Sequence, residues 1–234
     1  MENILCPKFQ FEARYTHILN FNVVAREIIS PYLKLATGFN ISNQNLLEES
    51  IRLNFDTDDF AIEFRWDRAF IIGERNINRF DDENSAIKVF FDILTKLRNS
   101  SYFGRFTVCI YLAFLVKISN DSREKILADF KEKYFKPDIK NILDSPNDLA
   151  FVLEKKITDS LTETVTVGPY SEEDNITHNL FPFDSSELEM LHSSDKQGKM
   201  VQLKIIENTS TVTFKTFKEL IKTTNRYSEY LKLM

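Results

Sequence analysis

Residues 106–116 read Phe-Thr-Val-Cys-Ile-Tyr-Leu-Ala-Phe-Leu-Val, a nearly continuous apolar run that ends at Lys117. A helix that spans a bilayer needs roughly 20 apolar residues, so this run is about half the required length. A continuous apolar pattern of this kind is typical of a strand that is buried on both faces of a sheet. We therefore predict a strand here, and this strand opens the second of two similar parts of the chain.

The elements predicted around this strand occur twice in the same order. Each half has a strand, a helix, a group of up to three strands and a second helix. The first half covers residues 14–100, and the second covers residues 105–234. Each half opens with a strand, and the first of these strands is followed by a helix that ends at Gly38. The other predicted elements are strands at 50–56, 60–66 and 69–75, a helix at 85–98, a helix at 122–135, strands at 148–156, 161–167 and 199–207, and a helix at 214–234.

Antiparallel meanders followed by helices are typical of α+β folds. We therefore predict an α+β protein with two similar halves, each an antiparallel meander with helices packed on one face. The two halves are expected to form one compact body, because neither is large enough to bury its own apolar face. Residues 1–13 are predicted to be a leader. Residues 168–198 are predicted to be an insert that loops out between two neighbouring strands.

The composition is that of a globular protein with an aromatic interior. Hydrophobic residues make up 43% of the 234 residues and charged residues 28%, which excludes global disorder. The chain has 21 Phe and 8 Tyr but only 5 Gly, which argues against glycine-rich loops that cradle phosphates. No secretory signal pattern is recognisable. The expected compartment is the cytoplasm, with no membrane contact.

Charge is segregated along the chain. Residues 157–195 hold nine acidic and no basic residues, a net of −9 in a chain whose total is −5. Phe181 and Phe183 lie within this acidic stretch and form either an anchor that folds the insert onto the body or a linear motif for a partner; we favour the anchor. Residues 196–234 carry a net +5. The predicted binding residues are Phe181, Phe183, Lys215, Lys218, Lys222 and Arg226.

One string of residues invites a catalytic interpretation. Nucleases of the restriction-endonuclease type use an Asp followed by Glu-x-Lys on a neighbouring strand, where the carboxylates hold Mg²⁺ and the Lys orients water. Asp144 or Asp148, followed by Glu154 and Lys156, has these residue types. Each Asp is too close to Glu154 in sequence to occupy a separate strand. A strand edge with outward-facing charges is therefore the favoured interpretation, and a metal-dependent nuclease is the alternative.

The other reactive residue types form no recognisable motif. His17, His178 and His192 have no metal-ligand spacing, and Cys6 and Cys109 make no zinc cluster or disulfide framework. Cys109 lies in the apolar run and is expected to be a small core residue. Phosphate-binding and dinucleotide-binding fingerprints are also absent from the sequence. We therefore predict no cofactor and no metal.

The duplicated order of elements resembles that of a set of bacterial proteins whose halves are similar to the SecB-type export chaperone fold. The stretches that carry the resemblance are residues 14–21, residues 50–75 with their central Phe-Arg-Trp, and residues 85–98, 106–117 and 200–234. The resemblance implies a binding protein whose apolar grooves and strand edges hold other chains. It also implies an accessory subunit of a toxin–antitoxin or phage-defence operon.

The sequence and the resemblance together favour a non-catalytic protein. We expect a protein-binding or accessory subunit of a larger complex, for which bacterial antiviral defence is one setting, or a chaperone-like binder. Its expected partner is another protein encoded nearby, and self-association into a homo-oligomer is a further expectation. Nucleic acid is expected to bind only through the local basic stripe near the end of the chain.

Overall fold

A computed structural model describes residues 4–42, 49–55, 60–73, 85–136, 149–170 and 197–234. These residues form nine strands, four α-helices and a 3₁₀ turn. The strands are β1 (Ile4–Tyr15), β2 (Gly38–Ser42), β3 (Ser50–Phe55), β4 (Phe60–Arg65), β5 (Arg68–Gly73), β6 (Phe106–Ser119), β7 (Phe151–Lys156), β8 (Leu161–Tyr170) and β9 (Gln197–Asn208). The helices are α1 (Phe21–Ile29), α2 (Ser85–Arg98), α3 (Arg123–Tyr134) and α4 (Phe214–Leu233), and the 3₁₀ turn is Ser30–Leu35.

The nine strands form one antiparallel sheet in the order β2-β3-β4-β5-β1-β6-β9-β8-β7. The predicted α+β class is therefore confirmed, with a single large sheet. None of the helices in the described ranges is long and apolar enough to cross a membrane.

Strands β1 and β6 pair at the centre of this sheet. Phe9 lies opposite Ala113, and Phe11 lies opposite Tyr111. All four residues are buried, because α2 and α4 cover the face of the sheet on which they lie. The predicted strand at residues 106–116 is confirmed and extends to Ser119.

The start of the chain differs from the predicted leader at residues 1–13. Strand β1 begins at Ile4, so most of that stretch lies in the middle of the sheet. Phe9, Phe11, Ala13 and Tyr15 alternate along β1 and are buried on one face, as the two-residue period of a strand requires. The pairing of β1 is irregular between Leu5 and Lys8, near Pro7, which cannot donate a ladder hydrogen bond.

Aromatic rings tie the central strands to two helices. The ring of Phe217 in α4 lies 5.4 Å from that of Phe11 in β1 and 5.6 Å from that of Phe91 in α2. Phe11 also packs edge-on against Phe90, with centroids 6.1 Å apart. Burial of each such ring contributes about 2–3 kcal/mol before the costs of ordering the chain. Phe11, Phe90, Phe91 and Phe217 therefore form one cluster where β1, α2 and α4 meet.

A buried hydrogen bond fixes α4 on the sheet. The Tyr111 hydroxyl in β6 lies 2.8 Å from Thr224 Oγ1, and Thr224 Oγ1 donates to the Leu220 carbonyl at 2.9 Å. Because the single hydroxyl hydrogen of Thr224 is used in this way, Tyr111 must be the donor to Thr224. Burial raises the pKa of Tyr111 far above its usual range, so the phenol stays protonated and keeps this role.

Helices α2 and α3 lie close to their predicted bounds. Helix α2 spans the predicted residues 85–98. Helix α3 begins after Ser122, whose Oγ accepts from the Lys125 backbone N–H. The Asp121 carboxylate pairs with the ammonium group of Lys125. A Ser hydroxyl at the N-cap satisfies one of the free N–H groups of the first turn.

Two features of the meanders differ between sequence and structure. Strand β2 begins at Gly38, where the sequence predicts the end of a helix. Strands β8 and β9 are neighbours as predicted, with Val165 opposite Leu203. Strand β8 ends at Tyr170 and β9 begins at Gln197. Both ends of the predicted insert at 168–198 therefore belong to the sheet. The rest of the insert lies outside the described residues.

Candidate functional site

Four basic residues follow one side of α4. Lys215, Lys218, Lys222 and Arg226 recur at intervals of three or four residues, which places them on a single helical face. We call these four residues the basic stripe. At 1.5 Å of rise per residue the stripe is about 16 Å long. The buried residues of α4 are Phe217, Leu220, Ile221, Thr224 and Leu231.

The buried residues decide where the basic stripe points. The hydrogen bond between Thr224 and Tyr111 and the packing of Phe217 on the central strands hold one side of α4 against the protein. Lys215, Lys222 and Arg226 are exposed, and Lys218 is half-buried. The amphipathic pattern of α4 therefore places the predicted basic binding residues together on the surface.

One acidic residue lies among these cations. Lys222 Nζ lies 2.8 Å from Glu219 Oε1. The hydrogen bond from Lys222 lowers the pKa of Glu219, with further lowering by the charges of Lys222, Lys215 and Arg226. Glu219 therefore stays ionised and offsets one of four positive charges, which leaves the surface strongly basic.

Local contacts hold two of the cationic groups in place. The ammonium of Lys218 lies 4.8 Å from the centroid of the Phe214 ring, and Arg226 donates to Thr223 Oγ1 at 3.0 Å. Both contacts are with residues of the same helix. An ordered row of cations on a rigid helix suits multipoint contact with carboxylates or phosphates.

Two residues of the nuclease alternative lie on β7, the outermost described strand at one end of the sheet. Glu154 and Lys156 are exposed on the edge strand β7, and Lys156 Nζ lies 2.7 Å from an oxygen of Asp159. Asp144 and Asp148 lie outside the described residues. Within the described ranges no three His, Cys, Asp or Glu side chains are grouped so that they could hold a metal ion. Glu154 and Lys156 thus match the outward-facing strand edge that the sequence analysis favoured.

The remaining residues singled out from the sequence are dispersed. The His17 ring packs on Trp66, with centroids 4.0 Å apart, while His178, His192, Phe181 and Phe183 lie outside the described residues.

Both cysteines are buried thiols that form no disulfide. Burial raises the pKa of Cys109 to about 12, with smaller contributions from the charges of Glu207 and Glu12. A thiol with so high a pKa is almost entirely protonated at neutral pH and is a poor nucleophile. Cys109 is therefore a core residue, as predicted.

A polar cavity of about 350 Å³ lies where β6, α3 and β9 meet. No motif in the sequence predicts it. Its charged lining residues are Lys117, Lys199, Asp121 and Asp129. Burial, followed by the charges of Lys133 and Lys117, lowers the pKa of Lys199.

Both cavity lysines have a structural role at the end of α4. Lys117 Nζ donates to the Lys232 carbonyl at 3.0 Å, and Lys199 Nζ donates to the Met234 carbonyl. Cations are stabilising at the negative end of a helix dipole, where the last carbonyls lack helical partners. Only the sheet register that sets Lys117 opposite Lys199 brings these two lysines together, so no local pattern could have revealed the pair.

Comparison with known proteins gives no family assignment. No model of a known protein family matches the chain, and a search of the curated proteins finds no significant match.

Proposed function

We propose that this protein is a non-catalytic, cytoplasmic protein-binding subunit of a larger assembly, and that the basic stripe on α4 contacts its partner. The observation that carries the proposal is the row of three exposed cations and the half-buried Lys218 on one face of α4, where Glu219 is the one acidic residue between Lys215 and Arg226. An accessory role in a bacterial defence complex, or a chaperone-like role, is in line with the resemblance of the sequence pattern to duplicated SecB-like proteins.

The chemistry of the stripe favours a partner with an acidic surface. Four cations over about 16 Å match a row of carboxylates on a helix or an extended segment. Exposed ion pairs of this kind speed association and confer specificity more than they add affinity, and salt screens them. We therefore expect the complex to weaken as ionic strength rises.

We also infer that the chain consists of two similar halves, with the helices of each half packed on one face of its strands. Strand β1 lies beside β5, the last strand of the first meander, and β6 lies beside β9, the last strand of the second. The pairing of β1 with β6 joins the two sets. An experimental structure in which the two halves superpose strand for strand would test this inference.

Charge reversal on the stripe tests the proposed function. The protein is purified with its partner from the native host, the partner is identified by mass spectrometry, and binding is measured with both purified components. We expect the Lys218→Glu, Lys222→Glu variant to weaken binding at least about ten-fold, because two attractive contacts become repulsive. The loss should shrink at high salt.

The matched control lies on α3. Lys133 lies near the ring of Tyr134, as Lys218 lies near the ring of Phe214. Lys125 forms an ion pair with Asp121, as Lys222 does with Glu219. The Lys125→Glu, Lys133→Glu variant makes the same charge change and should bind normally. Equal loss in both variants would mean that net charge, and not the stripe, matters. No stable partner, or binding of the stripe to an oligonucleotide instead, would overturn the proposal.

A further inference from the structure

The two ends of the sheet differ in how they are protected. Strand β2 is the outermost strand at one end and pairs only with β3 among the described strands. Phe39 and Ile41 project from it with 57% and 39% of their surface exposed. No charged residue occurs between Gly38 and Ser42. An uncharged strand edge with exposed apolar side chains is a template for pairing with another strand.

The opposite end of the sheet is blocked by charge. Strand β7 also exposes apolar residues, with Val152 at 65% and Leu153 at 61%. Its second half, however, is Glu154-Lys155-Lys156, and charged residues on an edge strand discourage pairing. Of the two outermost described strands, β2 is therefore the one without a charged edge.

We propose that β2 pairs antiparallel with β2 of a second copy of this chain, about a two-fold axis at Asn40. In this register Phe39 of each copy lies opposite Ile41 of the other, and Gly38 lies opposite Ser42. Residues an even number of positions apart lie on the same face of a strand, so both apolar pairs form on one side of the joined sheet. The two Asn40 side chains meet on the other side, where amides can hydrogen-bond to each other.

A second copy fits this edge better than an unlimited series of strands. The two-fold pairing uses the same patch on both copies, so it is closed after two molecules. Pairing of β2 with β7 of another copy would leave one open edge at each end and would build filaments, and it would also place the charges of β7 against an apolar strand. The closed arrangement removes both exposed β2 edges and leaves only the charged β7 edges at the ends of an eighteen-stranded sheet.

The size of the contact sets the expected strength. Each copy contributes five strand residues, whereas a standard stable interface uses roughly 20–30 residues a side. We therefore expect a weak, concentration-dependent dimer, with a dissociation constant of about 10 μM or more. This self-association does not involve the basic stripe on α4, so either proposal can fail while the other holds.

Sedimentation velocity of the full chain tests the dimer over roughly two decades of protein concentration, from about 5 to about 500 μM. The Phe39→Lys, Ile41→Lys variant sets like charges opposite each other twice and should weaken dimerisation at least about ten-fold. The Phe39→Lys, Ile41→Glu variant sets Lys opposite Glu twice and should restore it. Leu153→Lys at the other edge should dimerise like the wild type. A wild-type monomer at every concentration, or failure of the Lys/Glu variant to dimerise better than the Lys/Lys variant, would overturn the proposal.

Crosslinking provides a measurement that does not depend on the folding of the charge variants. A cysteine introduced by Asn40→Cys lies at the axis and should form a disulfide-linked dimer under mild oxidation. The matched variant Lys155→Cys, at the middle of the other exposed edge, should stay monomeric. Cys6 and Cys109 are buried and do not interfere. Equal crosslinking of the two variants, or none for Asn40→Cys, would contradict the β2 register.

Discussion

At the scale of single residues, burial decides the chemistry of the side chains in the apolar run that opens the second half. The position of Cys109 in that run predicts a core residue, and the structure confirms it. The partner of Tyr111 could not be predicted, because Thr224 lies 113 residues away along the chain. A local pattern reports which side chains are apolar, but a hydrogen bond between distant strands and helices depends on how they dock.

Cys109 should make the protein less stable at alkaline pH. The unfolded thiol loses its proton near pH 9, whereas burial raises the pKa of Cys109 in the folded state to about 12. Between these values the unfolded state binds fewer protons, so the free energy of unfolding falls as pH rises. We expect this residue to lower it by about 1 kcal/mol per pH unit between pH 9.5 and 11. Urea unfolding at several pH values measures the slope.

The Cys109→Ala variant isolates this contribution from that of the buried tyrosines. The pKa values of Tyr15 and Tyr111 are also raised by burial, so some loss of stability above pH 10 should remain in the variant. The slope of the variant should be shallower than that of the wild type. Parallel curves for the two proteins would show that Cys109 does not contribute.

At the scale of elements, periodicity predicts the long buried elements and fails at the short exposed one. Helix α2 has apolar residues recurring at helical intervals, and its bounds are as predicted. Strand β2 has only two apolar residues, and its conformation is set by pairing with β3. A strand this short, with so few apolar residues, shows no clear two-residue period. The sequence therefore does not predict the edge that carries the proposed dimer.

Two strand glycines should respond differently to substitution by alanine. A Cβ at Gly198 in β9 would lie 2.1 Å from the Lys117 carbonyl oxygen in β6. The backbone of β6 cannot move away without breaking its pairing with β9. At Gly38 in β2 the nearest atom to such a Cβ is Asn54 Nδ2, at 3.8 Å. We expect Gly198→Ala to lower the free energy of unfolding by about 1–3 kcal/mol.

Gly38→Ala is the matched control and should change the free energy of unfolding by about 0.5 kcal/mol or less. Guanidinium unfolding at low protein concentration compares the two variants with the wild type. A Gly198→Ala protein as stable as Gly38→Ala would mean that β6 and β9 do not approach as closely as described.

At the scale of the whole molecule, one aromatic core links residues from both predicted halves. Phe9 and Phe11 come from the first strand of the chain, and Phe217 comes from its last helix. Sequence analysis predicts an interior rich in rings, but not that these rings meet. We therefore expect the described elements to unfold together.

Phe217→Ala should destabilise the first half as well as the second. Removal of this buried ring leaves a cavity between β1, α2 and α4, at an expected cost of about 3–5 kcal/mol. Trp66, the single tryptophan, lies in the turn between β4 and β5 and reports on the first half. Its fluorescence and the far-ultraviolet circular dichroism should shift to the same lower denaturation midpoint.

Leu233→Ala on the same helix is the control, because its side chain is 82% exposed, and its midpoint should be unchanged. If Phe217→Ala left the Trp66 transition unaltered while the circular dichroism shifted, the two halves would unfold independently.

The sequence by itself determined the α+β class, the bounds of α2 and the basic face of α4, because hydrophobic periodicity and charge are local properties. Only the tertiary structure decided that β1 and β6 form the centre of one sheet, that Lys117 meets Lys199, and that β2 is the outermost described strand at one end. Strand order and register depend on which apolar faces are buried together across long stretches of chain. No local pattern of residues encodes that choice.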